Sequence, residues 1–152
     1  MIVKLTFPLP PTMNQMLSLA NSRYGKGRHY SGYYAEKKKW KALINDYIEK
    51  HQVPRFEGKV WLAAEFYVAT RANDPDNVRS TLKFILDGLT QPKKDEPERH
   101  WILKSDNLTI VQSPYIDEIN INKESKVIIT ISDTPLYKIT PLFKECDILF
   151  FK

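Results

Sequence analysis

Asp74-Pro75-Asp76-Asn77 sets two carboxylates two positions apart, with a carboxamide directly after them. Acids at that spacing can converge on one hard cation. Mg2+ characteristically takes one or two protein carboxylates and completes its shell with water or phosphate oxygens. Such a centre calls for a third acid. Asp106 is the candidate, because it follows the short apolar run Trp101-Ile102-Leu103 and precedes a longer strand-like stretch.

The same four residues also read as a helix start, with Asp74 as cap, Pro75 at the first helical position and Asp76 favoured by the helix dipole. The helix expected from Asp76 to Leu89 distinguishes its two sides. At about 100° per residue, Val78, Leu82, Ile85, Leu86 and Leu89 share one side, and Asp76, Ser80, Lys83 and Asp87 form a stripe opposite. Acid, hydroxyl, cation and acid thus stand in a row, as they would on a solvated face or on the wall of a site. Other chemistries find no footing. His29, His51 and His100 have no zinc-site spacing, and no glycine-rich phosphate loop, nucleophile elbow or EF-hand loop occurs.

The elements that must position these residues come from hydrophobic period. Residues 2–7 alternate as a strand with one buried face and end at Pro8-Leu9-Pro10-Pro11. Thr12 to Ser31 has the composition of a loop, and Arg23, Lys26 and Arg28 alternate there with Tyr24, His29 and Tyr30. Cations for phosphates and rings for bases suit a strand of nucleic acid, and equally a solvated loop. Residues 34–50 form an amphipathic helix with Trp40, Leu43, Ile44, Tyr47 and Ile48 on one face and Lys37, Lys38, Lys41 and Asp46 mostly on the other. Val60 to Val68 is apolar on both faces and is expected to be a central strand. Gln91 to His100, with Pro92 and Pro97, is an exposed loop, and strands are expected over Leu108–Lys123 and Lys126–Ser132, joined by a turn at 123–125. The order predicts a single α+β (mixed α/β) domain, a mixed sheet packed by two main helices.

Composition agrees with a folded chain. The 152 residues carry 23 basic and 18 acidic side chains, a net charge of +5 that favours a polyanionic partner. Basic residues crowd the first third while acids gather between Asp74 and Asp106, the distribution a metal-dependent nuclease needs. A lone cysteine, Cys146, gives no disulfide framework and reads as a packing residue. Without a membrane span or a signal-like amino terminus, the expected location is the cytoplasm. The last residues, from Leu136, are apolar for a tail and need burial on this subunit or on a partner.

Three places in order resemble the RusA-type Holliday junction resolvases: Phe7-Pro8-Leu9-Pro10-Pro11-Thr12-Met13-Asn14; Asp74-Pro75-Asp76-Asn77 with Lys83 and Ile85-Leu86-Asp87-Gly88-Leu89; and Asp106. The resemblance covers residues 3 to about 132. It implies a RusA-like endonuclease domain over 1–133, with 134–152 an extension for packing or dimer contact. It further implies a homodimer that makes paired symmetric nicks in four-way junctions with Mg2+ or Mn2+, in DNA recombination and repair. Asp74, Asp76 and Asp106 would be the metal ligands and Lys83 the catalytic or phosphate-contacting lysine, with Asn77, Ser80 and Asp87 supporting them. Asn14 would join Arg23, Lys26 and Arg28 in holding DNA.

The chain departs from that pattern in places. An ungapped match puts Ser80 where the lysine belongs, and Lys83 comes three residues, nearly one helical turn, later. Ser105 stands where many relatives carry a further acid. Two readings of another class stay open: a phage-derived DNA-binding protein of the same fold that no longer cuts, and an interaction protein whose Asp74 and Asp76 serve only the helix start.

Overall fold

Alternation places Val3, Leu5 and Phe7 on one side of the first strand, β1 (Ile2–Pro8), with Leu5 and Phe7 fully buried and Ile2, Lys4 and Thr6 exposed. A computed structural model of the chain describes residues 1–21, 31–70, 74–112 and 116–136. The elements after β1 are α1 (Met13–Asn21), α2 (Ser31–Lys50), β2 (Trp61–Val68), α3 (Pro75–Arg79), α4 (Leu82–Leu89), β3 (Ile116–Ile121) and β4 (Lys126–Ser132). Together they form an α+β domain around one four-stranded mixed sheet, in the order β1-β4-β2-β3.

β4 runs antiparallel to both its neighbours, pairing Leu5 with Ile129 on one side and Ala64 with Ile129 on the other. β2 and β3 are parallel, with Ala64 opposite Asp117 and Phe66 opposite Ile119. The turn after Ile121 therefore joins two strands that are not neighbours, because it crosses the carboxyl end of β2. There Asn122 N donates to Val68 O at 2.9 Å. β2 is interior to the sheet, as its apolar run predicts, but only Leu62, Ala64, Phe66 and Val68 are buried. Its other face is half-open and carries Glu65, which takes an ion pair from Lys4 at 3.3 Å and a hydrogen bond from Tyr67 Oη at 3.1 Å.

Helices cover the opposite face. Trp40, Ile44 and Ile48 of α2 and Leu82, Phe84, Ile85 and Leu89 of α4 join the sheet's inner side chains in a single core. α2 and α4 meet at Gly88, where a Cβ would fall 3.0 Å from Ile44 Cβ. No ordinary side chain allows helices so close.

Several sequence expectations are corrected. The stretch from Thr12 begins as helix α1: Gln15 Oε1 accepts from Thr12 N at 2.8 Å, and Met16 N bonds to Thr12 O at 2.9 Å. This is the Gln half of a Thr-x-x-Gln capping box, a start signal present in the sequence but outweighed there by the later glycines. The helix expected over Asp76 to Leu89 is two helices. Ser80 Oγ donates to Asn77 O at 2.6 Å and Thr81 Oγ1 to Val78 O at 2.7 Å, while Thr81, Lys83 and Phe84 N–H groups bond three residues back. Hydroxyls that bond their own backbone compete with the i−4 ladder and tighten the turn.

Of the strand expected over Leu108–Lys123, only Ile116–Ile121 is strand among the described residues; Leu108 to Ile110 are turn. Trp101 to Leu103 contribute one bridge, Leu103 to Thr90, in place of a strand. Among the described residues no helix is long and apolar enough to cross a membrane.

Candidate active-site cleft

β2 delivers the chain toward the paired acids, since Asp74 comes six residues after its last residue, Val68. Asp74 holds extended backbone (φ −66°, ψ 137°), Pro75 begins α3, and Val78 N bonds to Asp74 O at 3.2 Å. Pro75 is suited to that first position because it has no N–H to leave unpaired. The Asp74 carboxylate, however, makes no capping bond; Asn77 Nδ2 donates to it from 3.3 Å. Asp76, one turn-position on, is exposed, so both carboxylates stay open to solvent at the start of α3.

Ser80, Lys83 and Asp87 continue from these acids along one wall of a cleft of about 130 Å3, completed by Met13 and Met16 of α1, Tyr33 of α2 and Phe84 of α4. Three of the four residues of the polar stripe read from the sequence, Ser80, Lys83 and Asp87, thus line a concavity with apolar residues opposite; Asp76, on the separate helix α3, does not. Both candidates for the lysine position, Ser80 and Lys83, line it. They differ in what they are free to do, because the Ser80 hydroxyl is bonded to Asn77 O whereas the Lys83 side chain is 65% exposed.

Asp87 organises the cations. Its carboxylate lies 2.7 Å from Lys37 Nζ and 3.6 Å from Lys83 Nζ, and is only 16% exposed. Burial works to lower the Lys37 pKa, but the hydrogen bond and charge of Asp87, with contributions from Tyr33 and Glu96, outweigh it and raise Lys37 above the ordinary lysine value. Lys37 therefore stays an ammonium, and Asp87 is neutralised from two sides. It fits a positioning role for Lys83 better than the role of a metal ligand.

Asp106 enters differently. It lies between Leu103, which bridges Thr90, and Val111, which bridges Val60 ahead of β2's first residue, so it approaches from the amino end of β2 while Asp74 follows the carboxyl end. Among the described residues, no three or more of His, Cys, Asp and Glu gather closely enough to hold a metal ion. Asp74 and Asp76 are neighbours; Asp106 does not group with them. Asp117 is the acid that the fold brings to α3: on the edge strand β3, facing the helices, it is ion-paired with Arg79. Nothing in its local sequence marks it out.

Asn14 is exposed on the first turn of α1. Arg23, Lys26 and Arg28 lie outside the described residues, as does the tail from 137.

The loop over 91–100 acquires a structural reason. Its base is closed by Gln91 N to Leu103 O at 2.8 Å and Ile102 N to Leu89 O at 2.9 Å. From within it, Arg99 donates to Gly88 O and, at 3.0 Å, to Asp87 O, satisfying carbonyls that the end of α4 leaves unpaired. Burial lowers the Arg99 pKa, against the pull of Glu96 and Asp87. Glu96 in turn pairs with Lys41 of α2 at 2.6 Å. The Lys41 hydrogen bond, opposed by burial, holds the Glu96 carboxyl below its ordinary value, with Lys41 and Arg99 charge assisting. The chain matches no protein-family model and no curated protein sequence.

Proposed function

We propose that this chain is a divalent-metal-dependent endonuclease for branched DNA, acting as a homodimer on four-way junctions in recombination and repair. The observation that supports it most is the run of polar groups from the start of α3 into the cleft. Two carboxylates without a capping bond, Asp74 and Asp76, are followed by Lys83, whose ammonium lies 3.6 Å from Asp87 at the cleft. Their resemblance to the motif of RusA-type resolvases supplies the substrate class.

The donor set fits Mg2+, or Mn2+ in its place: two carboxylates with no cap bond and no ion pair among the described residues suit a cation that keeps several waters and phosphate oxygens. When bound, the ion would polarise the scissile phosphate and lower the pKa of an attacking water. Asp74 and Asp76 would hold it at the beginning of α3. Lys83 would supply an ammonium to offset charge developing on the phosphate, with the Asp87 carboxylate 3.6 Å from it. Met13, Met16, Tyr33 and Phe84 line the same cleft beside these polar groups.

A second reading, a DNA-binding protein that does not cut, is favoured by one observation: Asp106 does not join the other two acids among the described residues. Incubation of junction, flap and linear DNA with the protein in Mg2+ and in EDTA separates the two. Cutting of branched substrates in Mg2+, lost in Asp76→Asn, is expected; folded, metal-loaded protein that cuts no branched substrate would sink the enzyme reading.

A further inference from the structure

A second concavity, about 640 Å3, runs between α2 and the 93–99 loop. Its walls carry Lys37, Lys38, Lys41, Lys93 and Arg99 against two carboxylates, Glu96 and Glu98. Part of that charge is spent internally, since Lys37 pairs with Asp87 and Lys41 with Glu96. Lys38 and Lys93 are exposed and have no ion pair among the described residues. With Glu98 set against Arg99, Lys38 and Lys93 leave the groove a net positive surface.

The groove also adjoins the cleft. Lys37 lines one and is bonded to Asp87, which lines the other. Tyr33 faces the cleft and Tyr34 the groove, with their rings edge to face at 5.5 Å. One wall, made of an ion pair and two rings, thus separates a largely apolar cleft from a basic trough.

We propose that this groove is a track for the phosphate backbone of DNA continuing past the cleft, so that α2 and the 91–100 loop hold one arm of the substrate. The inference rests on the nucleic-acid reading above and adds to it a specific binding surface and two residues, Lys38 and Lys93. A polyanionic strand matches the net positive lining, and the shared wall makes the two concavities consecutive along one strand.

The test measures binding without cutting. Junction DNA labelled with a fluorophore is titrated with the full chain in EDTA over a series of salt concentrations, alongside Lys38→Ala/Lys93→Ala and the charge-keeping Lys38→Arg/Lys93→Arg. Each lost phosphate contact removes about 0.9 from the slope of log affinity against log salt, so the alanine pair is expected to lower the slope by about two, with the arginine pair near wild type. An unchanged slope in a folded alanine pair overturns the groove; so does wild-type protein that binds no DNA. Mg2+-dependent cutting is read separately. A groove that fails while cutting persists leaves the endonuclease reading intact, and a changed slope without cutting does the reverse.

Discussion

Lys37 of α2 and Asp87 of α4 lie 2.7 Å apart and join the two helices at the point where the cleft meets the basic groove. The pair is half-buried, which makes it worth more than a surface ion pair and less than its Coulomb attraction suggests. Lys37→Met is expected to cost about 1 kcal/mol near neutral pH. Because the folded state raises the Lys37 pKa, the contribution is complete below the unfolded value of about 10.5 and disappears as pH rises through the higher folded value. Urea denaturation of both proteins from pH 7 to pH 11.5 checks this: the difference should be flat to about pH 10 and shrink above.

Asp74 separates a structural from a functional carboxylate. A capping aspartate typically contributes about 1 kcal/mol. Since Asp74 makes no capping bond, Asp74→Ala should change stability by less than about 0.5 kcal/mol while weakening Mg2+ or Mn2+ binding at least tenfold in calorimetric titration. A large stability loss with metal affinity untouched would restore the capping role.

Ser80 and Lys83 share the cleft but not the expected effect. Lys83→Met should lower junction cutting by about 100-fold or more, the scale of removing one stabilising group from a developing charge. Ser80→Ala should stay within a few-fold, because its hydroxyl is committed to Asn77 O at 2.6 Å. Single-turnover rates at saturating protein distinguish chemistry from binding.

Gly88→Ala sets helix propensity against packing. Alanine favours a helix over glycine by about 1 kcal/mol, yet the added Cβ would stand 3.0 Å from Ile44 Cβ and nearer still to Ile44 Cδ1. Overpacking of about 1–3 kcal/mol should win, giving a net loss of stability and a lower thermal midpoint. Ile44→Val/Gly88→Ala should recover part of it.

Arg99→Met removes the donors to Asp87 O and Gly88 O. A loss of about 1–2 kcal/mol is expected from carbonyls left without a charged donor. Hydrogen exchange should quicken at Thr90, whose amide bonds to Leu86 O in the last turn of α4.

Local pattern was enough to locate most elements. The period of two in Ile2–Pro8, the apolar stripe of Trp40, Ile44 and Ile48, and three of the four residues of the polar stripe, Ser80, Lys83 and Asp87 without Asp76, face the directions their spacing predicts. These are properties of neighbours along the chain, and 2.0 or 3.6 residues per turn fixes them before any partner arrives. The Asp74-Pro75-Asp76 turn was legible for the same reason.

Tertiary structure decided what spacing does not encode. That β4 inserts between β1 and β2, and that β3 lies parallel beyond β2, are pairings of residues far apart in sequence. Lys37 reads as one more lysine on a polar face until α4 brings Asp87 to it, and Arg99 reads as a loop charge until it meets the end of α4. Asp106 follows the same rule in the opposite sense: it is the right type of residue near the right strand, but its position depends on the Leu103–Thr90 and Val111–Val60 bridges, which bring it in from the amino end of β2. A sequence specifies which side chains an element offers; which of them meet depends on how the elements pack.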